Sequence, residues 1–173
     1  MSAGVIRNRV GMSAMMLRFG KYRGSSAGRV VLADPGYAAW ALGQPSAAGG
    51  LADLRREVLR LVGRYDARPV VAGCFTGGCR RPATGCTLYR GRADPYWWCD
   101  ACDPVGGGGG ADKLVRVRSY WEAWGYGRTH AGGSEAAGAG LVAAVAAAKG
   151  LPARATEADV AAFFAAAAPG DGG

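Results

Sequence analysis

Cys74-Phe75-Thr76-Gly77-Gly78-Cys79, answered after nineteen intervening residues by Cys99-Asp100-Ala101-Cys102, sets two close cysteine pairs in a chain of 173 residues. A divalent zinc ion prefers four ligands in a tetrahedron, and two short loops that each return a pair of sulfurs supply them with little strain. Gly77 and Gly78 between the first two thiols allow the tight loop this needs. A redox pair formed by Cys99 and Cys102 is the main competitor, but it leaves Cys74 and Cys79 without a role. The spacing therefore predicts one structural zinc ion on Cys74, Cys79, Cys99 and Cys102. Cys86, the fifth cysteine, either replaces Cys79 or binds nothing, and the second is favoured. The single histidine, His130, is remote from both pairs and follows a glycine-rich turn, so it is expected to be a surface residue. Four thiolates leave no open position for water, which disfavours zinc hydrolysis.

The odd cysteine count does not suit a secreted disulfide framework and favours a reducing, intracellular setting, nucleus or cytoplasm. The first 33 residues hold no acid and several arginines and serines. Organelle import is thus not excluded, although a basic N-terminal arm is the preferred reading. No run of about 18 apolar residues occurs, so no membrane partner is expected. Half of the residues are hydrophobic, but much of that fraction is alanine, which buries little area. A body so poor in large apolar residues gains from a metal staple, which adds on the order of 10 kcal/mol to folding in small zinc modules.

Outward from the cysteines the pattern is mixed. On the N-terminal side, Met15 to Arg18 reads as a short strand running into a tight turn framed by Gly20 and Gly24. Ser25 or Ser26 caps a short helix, and Asp34 caps a second one that starts at Pro35 and sets Tyr37 and Trp40 on one face. From Leu51 to Tyr65 apolar residues recur at spacings of three and four, while Arg56, Arg60 and Arg64 line a second stripe. Pro69 ends that helix. On the C-terminal side, five glycines from Gly106 to Gly110 read as a flexible joint. Leu114 to Tyr126 is either a strand turning into a helix or one helix begun near Asp112. Beyond Gly132 an alanine-rich helix ends at Gly150, and Thr156 with Asp159 signals a last helix ending near Ala168 before a frayed end from Pro169 to Gly173. The expected fold is α+β: a small turn-and-helix module over 15–68, a zinc-ribbon or treble-clef-like four-cysteine unit over 69–127, and an Ala/Gly-rich helical tail over 131–173. The ordered body is expected in the first three quarters of the chain.

Charge points to a partner. The net charge is +8 with a pI near 9.6, and it is uneven: up to Arg118 there are eighteen basic and eight acidic residues, from Ser119 onward three and five. A positive body attracts polyanions, of which nucleic acid is the commonest. Around the cysteines lie Arg80, Arg81, Arg90 and Arg92 interleaved with Phe75, Tyr89, Tyr96, Trp97 and Trp98. Single-stranded nucleic acid binders use such a mixture, since rings stack bases while arginines neutralise phosphates. Adjacent strand residues point to opposite faces, so if this stretch is a strand Trp97 and Trp98 cannot both be buried in one small core.

Leu17-Arg-Phe-Gly-Lys-Tyr-Arg-Gly24, followed ten residues later by Asp34-Pro-Gly-Tyr-Ala-Ala-Trp40, resembles the C-terminal domain of exodeoxyribonuclease ten and related domains of phage, bacterial and eukaryotic proteins. That family pairs a Phe-Gly-Lys-Tyr-Lys-Gly turn with an Asp-Pro-Gly-Tyr-Leu-x-Trp helix, and here Arg23 keeps the charge of the second lysine. The match runs from Met16 to Val62, about a quarter of the chain. The resemblance implies an accessory module that assists nucleic acid engagement, with Phe19, Tyr37 and Trp40 as core and Lys21 and Arg23 projecting from the turn. Exonuclease activity does not carry over. Two-metal exonucleases need several convergent carboxylates, and before Cys74 the chain has only Asp34, Asp53, Glu57 and Asp66.

Together these features predict a non-catalytic, zinc-stabilised nucleic acid binding accessory protein, with DNA favoured over RNA and a nuclease or other protein as a further partner. The expected nucleic acid contacts are Lys21, Arg23, Arg56, Arg60, Arg64, Arg80, Arg81 and Trp97. The rival expectation is a zinc-stapled protein interaction adaptor that docks through Trp97, Trp98, Trp121 and Trp124.

Overall fold

Ser26 and Asp34 start the first two helices, as their side chains allow. The Ser26 hydroxyl accepts from the Arg29 amide at the head of α1 (Ala27–Ala33), and the Asp34 carboxylate accepts from the Tyr37 amide at the head of α2 (Pro35–Gly43). In the computed structural model, which describes residues 14–92, 94–105 and 114–165, a third helix follows as α3 (Gly49–Ala67). Its apolar stripe of Leu54, Val58, Leu61, Val62 and Tyr65 is buried, as the periodicity requires. The expected strand over Met15 to Arg18 reduces to one bridge between Met16 and Ser26 that closes the turn.

A small antiparallel sheet comes next, in the order β2-β1-β3: β1 (Gly85–Tyr89), β2 (Tyr96–Trp98) and β3 (Leu114–Val117). Leu114 to Tyr126 is thus a strand that turns into a helix, α4 (Tyr120–His130). The turn falls at Ser119, whose hydroxyl accepts from the Glu122 amide while the Glu122 carboxylate accepts from the Ser119 amide. Two more helices complete the described chain, α5 (Glu135–Ala148) and α6 (Glu157–Ala165). The molecule is therefore α+β. Residues 1–13 of the basic arm, the glycine joint at 106–110 and the chain end at 169–173 lie outside the described residues.

The tail helices over 135–165 belong to the ordered body, contrary to the expectation from their composition. Leu141, Val142, Val145, Phe163 and Phe164 are buried in one cluster with Leu17, Val31, Leu54 and Tyr65 of the N-terminal helices and with Cys86, Leu88 and Val117 of the sheet. Two tyrosines sit at its centre. Tyr65 donates to the Val142 carbonyl at 2.8 Å and Tyr120 to the Val31 carbonyl at 2.6 Å, their rings edge to face. Burial pushes both phenols far up, so they remain protonated donors. Lys149, 4% exposed, closes the end of α3 by donating to the carbonyls of Tyr65, Asp66 and Arg68. Arg68 donates back to the carbonyls of Lys149 and Phe163. These bonds fasten the alanine-rich helices to α3.

Candidate metal centre and the ring-lined sheet face

Two tight loops build the cysteine cluster. In the first, the Cys79 amide donates to the Thr76 carbonyl at 3.0 Å, and Gly78 takes φ of +79°, which a side chain would resist. In the second, the Cys102 amide donates to the Cys99 carbonyl at 3.0 Å. A bridge between Gly73 and Pro82 and the bond from the Cys74 amide to the Arg81 carbonyl close the base of the first loop. The Phe75 amide then donates to the Trp97 carbonyl at 2.7 Å and the Thr84 amide to the Trp98 carbonyl at 2.8 Å, so both flanks of that loop hang on β2.

The result brings the sulfurs of Cys74, Cys79, Cys99 and Cys102 within 4.8 Å of one another, with Cys79 and Cys99 at 3.9 Å. Four thiolates about 2.3 Å from a central ion in a tetrahedron stand about 3.8 Å apart. The donor set fits a metal ion of that geometry. Its electrostatics agree. The Cys99 amide, bonded to the Cys74 sulfur, is the main cause that holds the Cys74 thiol down to about 6. The Arg81 amide, followed by its guanidinium, lowers Cys79. Arg81 also lies 3.6 Å from the Cys102 sulfur. Burial pushes the Cys99 thiol up to about 11, so a proton must leave it when a metal binds. Cys86 stands outside the cluster. Its buried sulfur donates to the Val117 carbonyl at 3.7 Å, and burial pushes its thiol up to about 12.

The basic residues singled out in the sequence are scattered. Lys21 and Arg23 project from the turn, with the Lys21 ammonium 2.8 Å from the Asp34 carboxylate. Along α3, Arg56 pairs with Asp53, Arg60 grips Glu57 with two bonds of 2.7 Å, and Arg64 donates to the Phe164 and Ala165 carbonyls. The stripe thus works mostly inside the molecule. Arg80 and Arg81 are exposed on the first cysteine loop. Trp97 lies across from Cys86 on the inner face of the sheet and packs against the core. Trp121 and Trp124 also pack there, and the Trp124 indole donates to Glu135. Trp40, expected in the core, is 46% exposed and stacks on Tyr37 at 5.0 Å.

The outer face of the sheet holds what sequence reasoning named but did not place. Alternation along β2 turns Tyr96 and Trp98 away from Trp97. Phe75, Tyr89, Tyr96 and Trp98, with Thr87, Pro104 and Leu114, line a cleft of about 210 Å³. Phe75 stands edge to face against Tyr96 and Trp98 at 5.1 and 5.4 Å, and Tyr89 against Tyr96 at 5.8 Å. Phe75 is 62% and Tyr89 44% exposed. The signal for this face was the alternation of β2 together with the position of Phe75 directly after Cys74 of the cluster. The turn that leads from β1 to β2 adds Arg90 and Arg92, both exposed. No helix among the described residues is long and apolar enough to cross a membrane. Comparison of the chain with family models, with curated proteins and with solved structures finds no match in any of the three.

Proposed function

We propose that the protein is a non-catalytic, zinc-stabilised accessory that binds single-stranded nucleic acid, DNA in preference to RNA, on the outer face of its sheet. The observation that carries this reading is the set of exposed rings, Phe75 and Tyr89 above Tyr96 and Trp98, beside loops that bear Arg80, Arg90 and Arg92. Rings accept any base by stacking, and arginines answer the phosphates. Zinc is the metal this reading assigns, because four thiolates in a closed tetrahedron are its preferred structural set. The second cysteine pair lies in a turn after β2 and not in the first turn of a helix, which supports a ribbon-like unit over a treble-clef-like one. The turn that resembles the exodeoxyribonuclease ten domain would add Lys21 and Arg23 as a second phosphate contact.

The adaptor reading has less support. Three of the four indoles it relies on, Trp97, Trp121 and Trp124, are packed against the core. Titration of a labelled deoxythymidine oligonucleotide by fluorescence anisotropy tests the proposal. Binding at low salt should weaken steeply as salt rises, because phosphate contacts release counterions. Absence of binding at low salt would sink it.

A further inference from the structure

Within that reading, on which it rests, we infer that the cleft over the sheet takes one unpaired nucleobase at a time, inserted between the rings of Phe75 and Tyr89 and met by the Thr87 hydroxyl at its floor. Size comes first. Pockets for drug-sized ligands start near about 300 Å³, and this cleft of about 210 Å³ is smaller. It admits a single ring system, whose sugar and phosphate stay outside. The rings are set for such an insertion. Phe75 meets Tyr96 at 78° and Trp98 at 74°, and Tyr89 meets Tyr96 at 90°, so the faces of several rings border one space.

The floor then decides the chemistry of the guest. Thr87 is 1% exposed, and its hydroxyl accepts from the Trp98 indole at 2.7 Å. A hydroxyl that accepts one bond still has its own proton to donate. That proton asks for a guest with an acceptor atom at its edge, which the carbonyls and ring nitrogens of a base provide. A quaternary ammonium group, the other usual guest of perpendicular rings, has no acceptor for it to meet. The same geometry excludes a paired duplex, because a base must leave its stack and its partner to enter.

The test uses the full chain and four labelled probes at low salt: oligo-deoxythymidine, an abasic strand of equal length, a hairpin duplex, and a trimethyl-lysine peptide. The unmodified strand should bind about tenfold or more tighter than the abasic strand and the duplex, and Phe75→Ala and Tyr89→Ala should each weaken it about tenfold. Both side chains are exposed, and circular dichroism of each variant checks that the fold is kept. Thr87→Val, which removes the floor donor at nearly equal volume, should lower affinity with the fold intact. If the strand, the abasic strand and the duplex bind alike and the ring variants change nothing, the cleft assignment falls while nucleic acid binding stands. If no nucleic acid binds, both fall. If only the trimethyl-lysine peptide binds, and loses affinity in the ring variants, the cleft is a cation site and the inference is overturned.

Discussion

Asp34 ties together two motifs that are thirteen residues apart in sequence. One carboxylate oxygen receives the Lys21 ammonium at 2.8 Å and the Tyr22 hydroxyl at 2.6 Å, while the other caps α2. Partial burial alone would raise this carboxyl, but those three donors outweigh it and hold it below the ordinary value of 3.8. A group depressed in the folded state contributes stability above its unfolded pKa, and that stability is lost as pH falls through the folded pKa. Urea melts from pH 6 down to pH 2 should therefore steepen below about pH 4, and Asp34→Asn should flatten that limb. Asp34→Ala also removes the cap, at about 1 kcal/mol. The cap was legible from Asp34-Pro35 alone, since an N-cap is a local signal. The ion pair was not, because it exists only once the turn is folded against α2, and the sequence offered Lys21 only as a phosphate contact. Cys86 makes the converse case. Its spacing allowed it as a ligand, yet β1 turns its sulfur inward, so Cys86→Ala should leave the metal content unchanged while Cys99→Ser abolishes it.

At the scale of elements, α4 and α5 meet through two glycines. A side chain on Gly127 would sit 2.6 Å from the Ala137 carbonyl, and one on Gly138 would sit 2.8 Å from the Trp124 carbonyl. In an exposed helix, replacing glycine by alanine gains up to about 1 kcal/mol. Here the obstructing atoms are backbone and the helices must part, so the sign reverses: Gly127→Ala and Gly138→Ala should each cost about 1–3 kcal/mol, read from denaturant midpoints. Lys149→Met should cost about 2 kcal/mol in the same assay, since it leaves the carbonyls of Tyr65, Asp66 and Arg68 without their donor. The bounds of α5 and the start of α6 were readable from Gly132, Gly150 and the Thr156 and Asp159 box; the expected end of α6 near Ala168 lies outside the described residues. Their packing was not. In a stretch of alanine and glycine the apolar stripe has little contrast, and close approach depends on the absence of side chains, which leaves no pattern to read.

For the whole molecule, the four clustered cysteines connect the candidate metal centre with the sheet and the ring face. The loop from Cys74 to Cys79 positions Phe75, and its flanks bond to β2, whose Trp97 packs on the common core. Chelation should therefore lower the melting temperature and abolish oligonucleotide binding in the same titration, whereas high salt should weaken binding without moving the melting temperature comparably. Because Cys99 starts protonated near neutral pH, metal uptake should release protons and tighten as pH rises from 6 to 8. The donor set could be read directly from sequence, because spacing and residue type determine it. Which face the rings occupy depended on β1, a strand that the cysteines and charges around it concealed. Elemental analysis of the purified full chain, paired with a thiol titration, tests the central claim most directly. The account predicts about one zinc per chain and four thiols that react only after chelation. A folded protein with no bound metal and four freely reactive thiols, or one that holds iron there with the visible absorption of iron thiolate, would contradict it.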